Sequence, residues 1–150
     1  MAYRLYKENG SGAHVEFYPK TASETFTFND MVMLGAAGTL TKFTDAANVK
    51  PKGLILKTIA ATDSDYASTT RVPVLVCGPE AEYLADVGVG TGAAGDVGEF
   101  VDADGAGNAH QDIDLDNSTY DVFEVTQFIS TTQMVVKINP VTGVLKTGPA

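Results

Sequence analysis

The chain has 150 residues, with 10 Lys and Arg against 19 Asp and Glu, a formal net charge of −9, 44% hydrophobic and 19% charged residues. That length suits one domain or two very small ones, and the balance is that of a globular protein rather than a disordered tail. The acidity argues against wrapping nucleic acid, no apolar run approaches the ~20 residues that span a bilayer, and the one cysteine, Cys77, excludes an intrachain disulfide or a multi-cysteine zinc site.

In chain order, Met1 to Gly12 comes first. It lacks the apolar core of a secretory signal. Gly10-Ser11-Gly12 reads as a hinge, so residues 1–12 are expected to form an extended N-terminal arm carrying Tyr3, Arg4, Tyr6 and Lys7. The same letters would also suit a first strand or a frayed end. Val15-Glu16-Phe17-Tyr18 and Phe26-Thr27-Phe28 then alternate as strands do. Gly35-Ala36-Ala37-Gly38 supplies a small-residue bend before a strand carrying Leu40 and Phe43, and Asp45 closes the following turn.

Asp45-Ala46-Ala47-Asn48 and Asp65-Tyr66-Ala67 are the best short helix candidates, about a turn each. Leu54 to Ile59, Val72 to Cys77, Tyr120 to Val125 and Gln133 to Ile138 read as strands, with Pro73 marking an edge or a bulge. The chain is therefore expected to be all-β, a single barrel or sandwich. The organisation expected is the arm, a β-domain over 13–140 and a tail over 141–150.

An internal echo runs through this domain. Gly35 to Ala46 and Gly92 to Ala103 share both glycines, both alanines, and then Phe43/Phe100, Asp45/Asp102 and Ala46/Ala103. Thr69-Thr70-Arg71-Val72 is echoed by Thr131-Thr132-Gln133-Met134. Two related strand groups, 35–80 and 92–138, are expected to share one core, with Phe43 and Phe100 in equivalent buried positions.

Charge is uneven as well. Residues 1–71 hold seven acids and eight bases, whereas 72–136 hold twelve acids and no Lys or Arg. The pattern suits a solvated acidic face, or a polar object with one side docked and the other facing water.

Motifs that resemble chemical sites fail in detail. Gly90-Thr91-Gly92-Ala93-Ala94-Gly95 matches G-x-G-x-x-G, but a strand-like, acidic segment follows where a helix should open on a phosphate. Asp112-Ile113-Asp114-Leu115-Asp116-Asn117 begins like a calcium loop, yet Asn117 and Phe123 stand where the pattern needs glycine and glutamate. Asp102-Ala103-Asp104-Gly105 reads as a turn. His14 and His110 have no metal-binding spacing, and Cys77 reads as a small core hydrophobe. The expectation is no catalytic residue, no metal and no cofactor.

Three phrases carry a family resemblance: Gly38-Thr39-Leu40-Thr41-Lys42-Phe43-Thr44, then Pro51-Lys52-Gly53-Leu54-Ile55-Leu56, then Gly95-Asp96-Val97-Gly98-Glu99-Phe100-Val101-Asp102-Ala103-Asp104-Gly105. With the N-terminal arm, this layout over roughly residues 13–140 resembles the capsid decoration (cement) proteins of tailed bacteriophages. The resemblance implies a β-tulip-like fold and a non-enzymatic homotrimer at three-fold axes on the outer surface of the virion. It implies contact with the major capsid protein through Tyr3, Arg4, Tyr6 and Lys7, and no nucleic-acid or membrane partner. A carbohydrate- or host-surface-binding adhesion module is the alternative reading.

Overall fold

A computed structural model describes residues 3–10, 12–44, 51–104 and 110–139. The tail over 141–150, the helix candidate at Asp45 to Asn48, Ser11 of the hinge and Gly105 lie outside the described residues. The chain is all-β: eleven strands and one turn of 3₁₀ helix at Ala94–Asp96, with no α-helix among the described residues. The strands are β1 (Tyr3–Lys7), β2 (His14–Pro19), β3 (Met31–Leu34), β4 (Leu40–Lys42), β5 (Gly53–Ile55), β6 (Arg71–Val76), β7 (Glu82–Val89), β8 (Phe100–Ala103), β9 (Ile113–Asp114), β10 (Phe123–Ser130) and β11 (Gln133–Ile138).

They form two sheets. One runs β2-β6-β5-β3-β4, and the other β1-β7-β11-β10-β8-β9. In the second, a parallel pairing of β7 with β9 (Val87 opposite Ile113) closes five strands into a mixed barrel, with β1 added outside. In the first, a parallel bridge between Lys20 and Leu40 joins the end of β2 to β4. The circuit β2-β6-β5-β3-β4-β2 therefore has the same order and the same strand directions as β7-β11-β10-β8-β9-β7. The two strand groups are related by topology, over 14–76 and 82–138.

This places the repeat in a different register from the glycine echo. Gly35 to Gly38 form the tight turn of the β3–β4 hairpin, whereas Ala94 and Gly95 enter the 3₁₀ turn before β8. Phe43 is fully buried and Phe100 only half-buried; Leu40 is buried in β4, whereas Val97 is exposed. Phe43 and Phe100 are not equivalent. The downstream echo is in register, because Arg71 and Gln133 are the first residues of β6 and β11, which occupy the same place in each circuit.

Packing follows the alternation of each strand. Val32, Leu40, Ile55, Val72 and Val74, with Phe26 and Ile59 from the loops, make one apolar cluster. Tyr83, Ala85, Val101, Ala103, Ile113, Phe123, Val125, Met134 and Val136 belong to a larger one, which also takes in Met31, Phe43 and Leu54 of the first circuit. The expected single core is thus two clusters, the larger shared by both groups.

Several expected elements differ: the strand expected over Leu54 to Ile59 stops at Ile55, and that over Tyr120 to Val125 begins only at Phe123. Phe26 to Phe28 make a single bridge, Phe26 to Ile59, rather than a strand. Asp65 to Ala67 form a turn. Pro73 is neither at an edge nor in a bulge, since β6 lies between β2 and β5. Its backbone faces β5 just past Ile55, where that ladder ends, so its missing N–H leaves little unmade.

Candidate docking surface

The N-terminal residues are not a free arm. Tyr3 to Lys7 form β1, antiparallel to β7, with Tyr3 opposite Ala85 and Leu5 opposite Tyr83. Tyr3 is fully buried, its ring centroid 5.6 Å from that of Phe123. Its hydroxyl donates to the carbonyl oxygens of Asp112 at 3.1 Å and His110 at 3.3 Å. Strand alternation explains the rest: Tyr3 and Leu5 face the core, and Arg4 faces water. Of the four residues the sequence singles out, Arg4, Tyr6 and Lys7 are exposed together, with the Lys7 ammonium 6.0 Å from the Tyr6 ring centroid. Tyr3 is a core residue and is withdrawn from the docking set. Gly10 and Gly12 take left-handed conformations, both at φ 72°, a backbone shape that glycine adopts without strain.

The acidic half coincides with the second circuit. Asp102, Asp104, Asp112 and Asp121 are buried, and Glu80, Glu82, Asp86, Asp96, Glu99, Asp114, Asp116 and Glu124 are exposed or half-exposed. The sequence asymmetry is therefore an asymmetry between two topologically equal units. Asp102 holds a loop distant in sequence. Its carboxylate accepts the N–H groups of Thr119, Tyr120 and Asp121 at 2.8–2.9 Å, pinning the loop that leads into β10. Among the described residues, no group of three or more His, Cys, Asp or Glu is arranged to hold a metal ion. Gly90 takes φ +89°, and Asp96 caps the Ala93 N–H at 2.8 Å, so an acid occupies the place a phosphate would need.

Two buried polar side chains went unread in the sequence. Lys20 is buried at the end of β2 and donates to the carbonyl oxygens of Tyr66 at 2.8 Å and Ser68 at 2.7 Å, closing the loop before β6. Gln111 bridges the circuits: its Oε1 accepts the Met31 N–H at 2.6 Å, and its Nε2 donates to the Met31 carbonyl at 3.0 Å. A lysine after an apolar strand and a glutamine beside three aspartates carry no signal of burial by composition alone.

Cys77 is half-buried against the larger cluster, and burial pushes its thiol up, away from a reactive thiolate. Burial also pushes the Tyr83 hydroxyl up and the His110 imidazole down. On β2, His14 sits between the Gly12 carbonyl, 2.8 Å from Nδ1, and the Glu16 carboxylate; the Tyr18 hydroxyl donates to the same carboxylate. The hydrogen bond to Gly12, and then the one to Glu16, raises the His14 pKa above 6.5; the Tyr18 and His14 contacts lower that of Glu16. A raised histidine contributes stability below its unfolded value and loses it as pH rises through the folded one. A proton-NMR titration should therefore show His14 changing charge above 6.5, and Glu16→Gln should move it back down. An unchanged His14 titration in Glu16→Gln would exclude the pair.

No protein-family model matches the sequence, and no curated protein matches it. No helix among the described residues is long and apolar enough to cross a membrane.

Proposed function

We propose that the chain is a non-enzymatic structural protein of a phage virion, binding the outer surface of the capsid as a trimer and stabilising it by bridging subunits of the major capsid protein. One observation carries the reading. Two circuits of the same topology differ in charge, so the molecule is electrically two-sided, and Arg4, Tyr6 and Lys7 stand exposed on an edge strand, which among the described residues is the one strand outside both circuits. The layout shared with decoration proteins supports the same assignment. Aromatic area with a polar tip beside a cation suits an acidic, partly apolar shell surface. A protein that binds only the assembled shell stabilises it by mass action. Several copies held together would turn weak contacts into long-lived attachment.

Co-sedimentation with undecorated heads of the parent phage tests this. Lys7→Glu should weaken binding at low salt, with the deficit shrinking as salt rises, because exposed charges are screened beyond about 10 Å at 0.1 M. Tyr6→Ser should weaken binding at every salt concentration, since it removes apolar area. Pelleting equal to wild type for both variants would place the docking surface elsewhere.

A further inference from the structure

The repeat aligns β2 with β7 residue by residue. The Lys20 and Val87 N–H groups donate to the carbonyls of Thr70 and Thr132, the second threonines of the downstream echo, so Phe17 corresponds to Leu84 and Val15 to Glu82. On β7 those two residues turn their backbone away from β11 and lie opposite Arg4 and Lys7 of β1. On β2 the same alternation turns the backbone groups of His14, Glu16 and Tyr18 towards β6 and those of Val15 and Phe17 outward, where no strand among the described residues meets them. Val15 and Phe17 are also the most exposed large apolar residues described, at 49% and 59%. The Phe17 carbonyl accepts one guanidinium N–H from Arg71 at 3.1 Å and retains a lone pair for a second donor.

A second copy of β2 fits this edge in one antiparallel register. Setting Val15 opposite Val15 of the second copy brings outward backbone groups face to face, and Phe17 then falls opposite Ala13, just before the strand. On one face Leu75 already lies opposite Val15 within the chain, so Leu75, Val15, and then Val15 and Leu75 of the second copy form one apolar row. On the other face His14 falls opposite Glu16 on both sides of the axis, in the closer, non-hydrogen-bonded positions. Each Glu16 carboxylate, already bonded to His14 and Tyr18 of its own strand, gains the imidazole of the second copy. Sliding the copies by two residues sets Glu16 against Glu16 in one direction and His14 against His14 in the other, both like-for-like contacts. Sliding by four sets Val15 against Pro19, which has no N–H to give.

We propose that two copies of this chain join through the outer edges of β2, across a two-fold axis at Val15, so that one sheet runs from the first circuit of one copy into that of the other. The same patch faces itself, so the contact is isologous and closes at two. It goes beyond the capsid reading and does not depend on it. A two-fold contact builds no trimer; on a shell it would tie a copy in one trimer to a copy in the next. Gly12, at φ 72°, and Pro19 bound the ladder, so it is short, and the matching of side chains around Val15 decides whether it forms.

Light scattering of the full chain, without capsids, reads the contact directly. Wild type is expected at twice the mass of Val15→Glu or more, because that substitution sets two carboxylates against each other on the axis. The circular-dichroism melts of the two should coincide, the site being exposed. His14→Glu and Glu16→Lys, each alone, should lower the mass as Val15→Glu does, the first by opposing like charges and the second by removing the acceptor. Their double variant should restore it, since the exchanged charges again meet unlike ones; this arm keeps the test valid where Val15→Glu is poorly folded. Equal masses for wild type and folded Val15→Glu at the highest soluble concentration overturn the proposal. So do single charge variants as heavy as wild type, or a folded double variant that stays light. Where wild type is the heavier, a Val15→Glu mass of one 15.8 kDa chain leaves the two-fold contact standing and removes a trimer formed in solution, whereas a three-chain mass leaves both.

Discussion

Replacing Tyr3 with alanine is expected to cost about 3–5 kcal/mol of stability, the range for truncating a large buried aromatic. The ring packs with Phe123 in the larger cluster, and its hydroxyl ties β1 to the backbone on either side of Gln111 through the Asp112 and His110 carbonyls. Tyr3→Phe keeps the ring and loses that donor, and should cost about 1–2 kcal/mol. Deleting residues 1–7 should destabilise at least as much as Tyr3→Ala, because it also strips the β1 pairing from β7. A chain read as arm, hinge and domain predicts the opposite, a truncated protein that melts as wild type does. Urea unfolding followed by circular dichroism separates the two. Equal midpoints for wild type and Tyr3→Ala would return Tyr3 to the set of surface residues.

The reason β1 was legible only as an alternative is physical. Tyr3-Arg4-Leu5-Tyr6-Lys7 alternates aromatic or apolar with charged residues as an edge strand does, but the exposed Tyr6 blurs the alternation, and a pairing bulge falls between Leu5 and Lys7. β2 and β6 were legible because Val15 to Tyr18 and Val72 to Val76 are dense in β-branched and aromatic residues. β7 was not, since small Ala85 and Gly88 and acidic Glu82 and Asp86 dilute its pattern. Gly88 is required there all the same: a Cβ would run into the Asp104 carboxylate and the Asp112 side chain.

The repeat shows a different limit. Gly-Ala-Ala-Gly recurs for unlike reasons, because Gly38 takes φ +77° in the hairpin turn, a Cβ on Gly92 would meet the Ser130 carbonyl oxygen at 2.7 Å and Gly95 has open space, so its recurrence does not mark equivalent places in the fold. The start of an apolar strand after two threonines does. As for the docking residues, composition marked Arg4, Tyr6 and Lys7 by their chemistry, but no local signal separates Tyr3 from Tyr6. Which tyrosine is buried depends on the pairing with β7, more than seventy residues downstream.

Gln111→Ala is expected to cost about 2–4 kcal/mol, because it removes the acceptor of a buried backbone N–H and packing at the junction of the circuits. The Met31 carbonyl is hurt less, since the Phe43 N–H also donates to it at 2.9 Å. Gln111→Glu discriminates this account from simple loss of volume. An ionised Glu at this position still accepts from the Met31 N–H, but it faces the Met31 carbonyl without a proton to offer and carries a charge into a buried site. Both effects should raise its folded pKa above the ordinary value of about 4.3. The sign is that of an acid held neutral by the fold. Its deficit should be small below the unfolded value, where the carboxylic acid can donate as the amide does. The deficit should then grow as pH rises through the folded value. Urea midpoints of wild type and Gln111→Glu across that range would show the two curves converging at acid pH. Parallel curves would mean that Gln111 only fills space between the circuits, and that the junction is held by Met31, Phe43 and Leu54 in the shared apolar cluster.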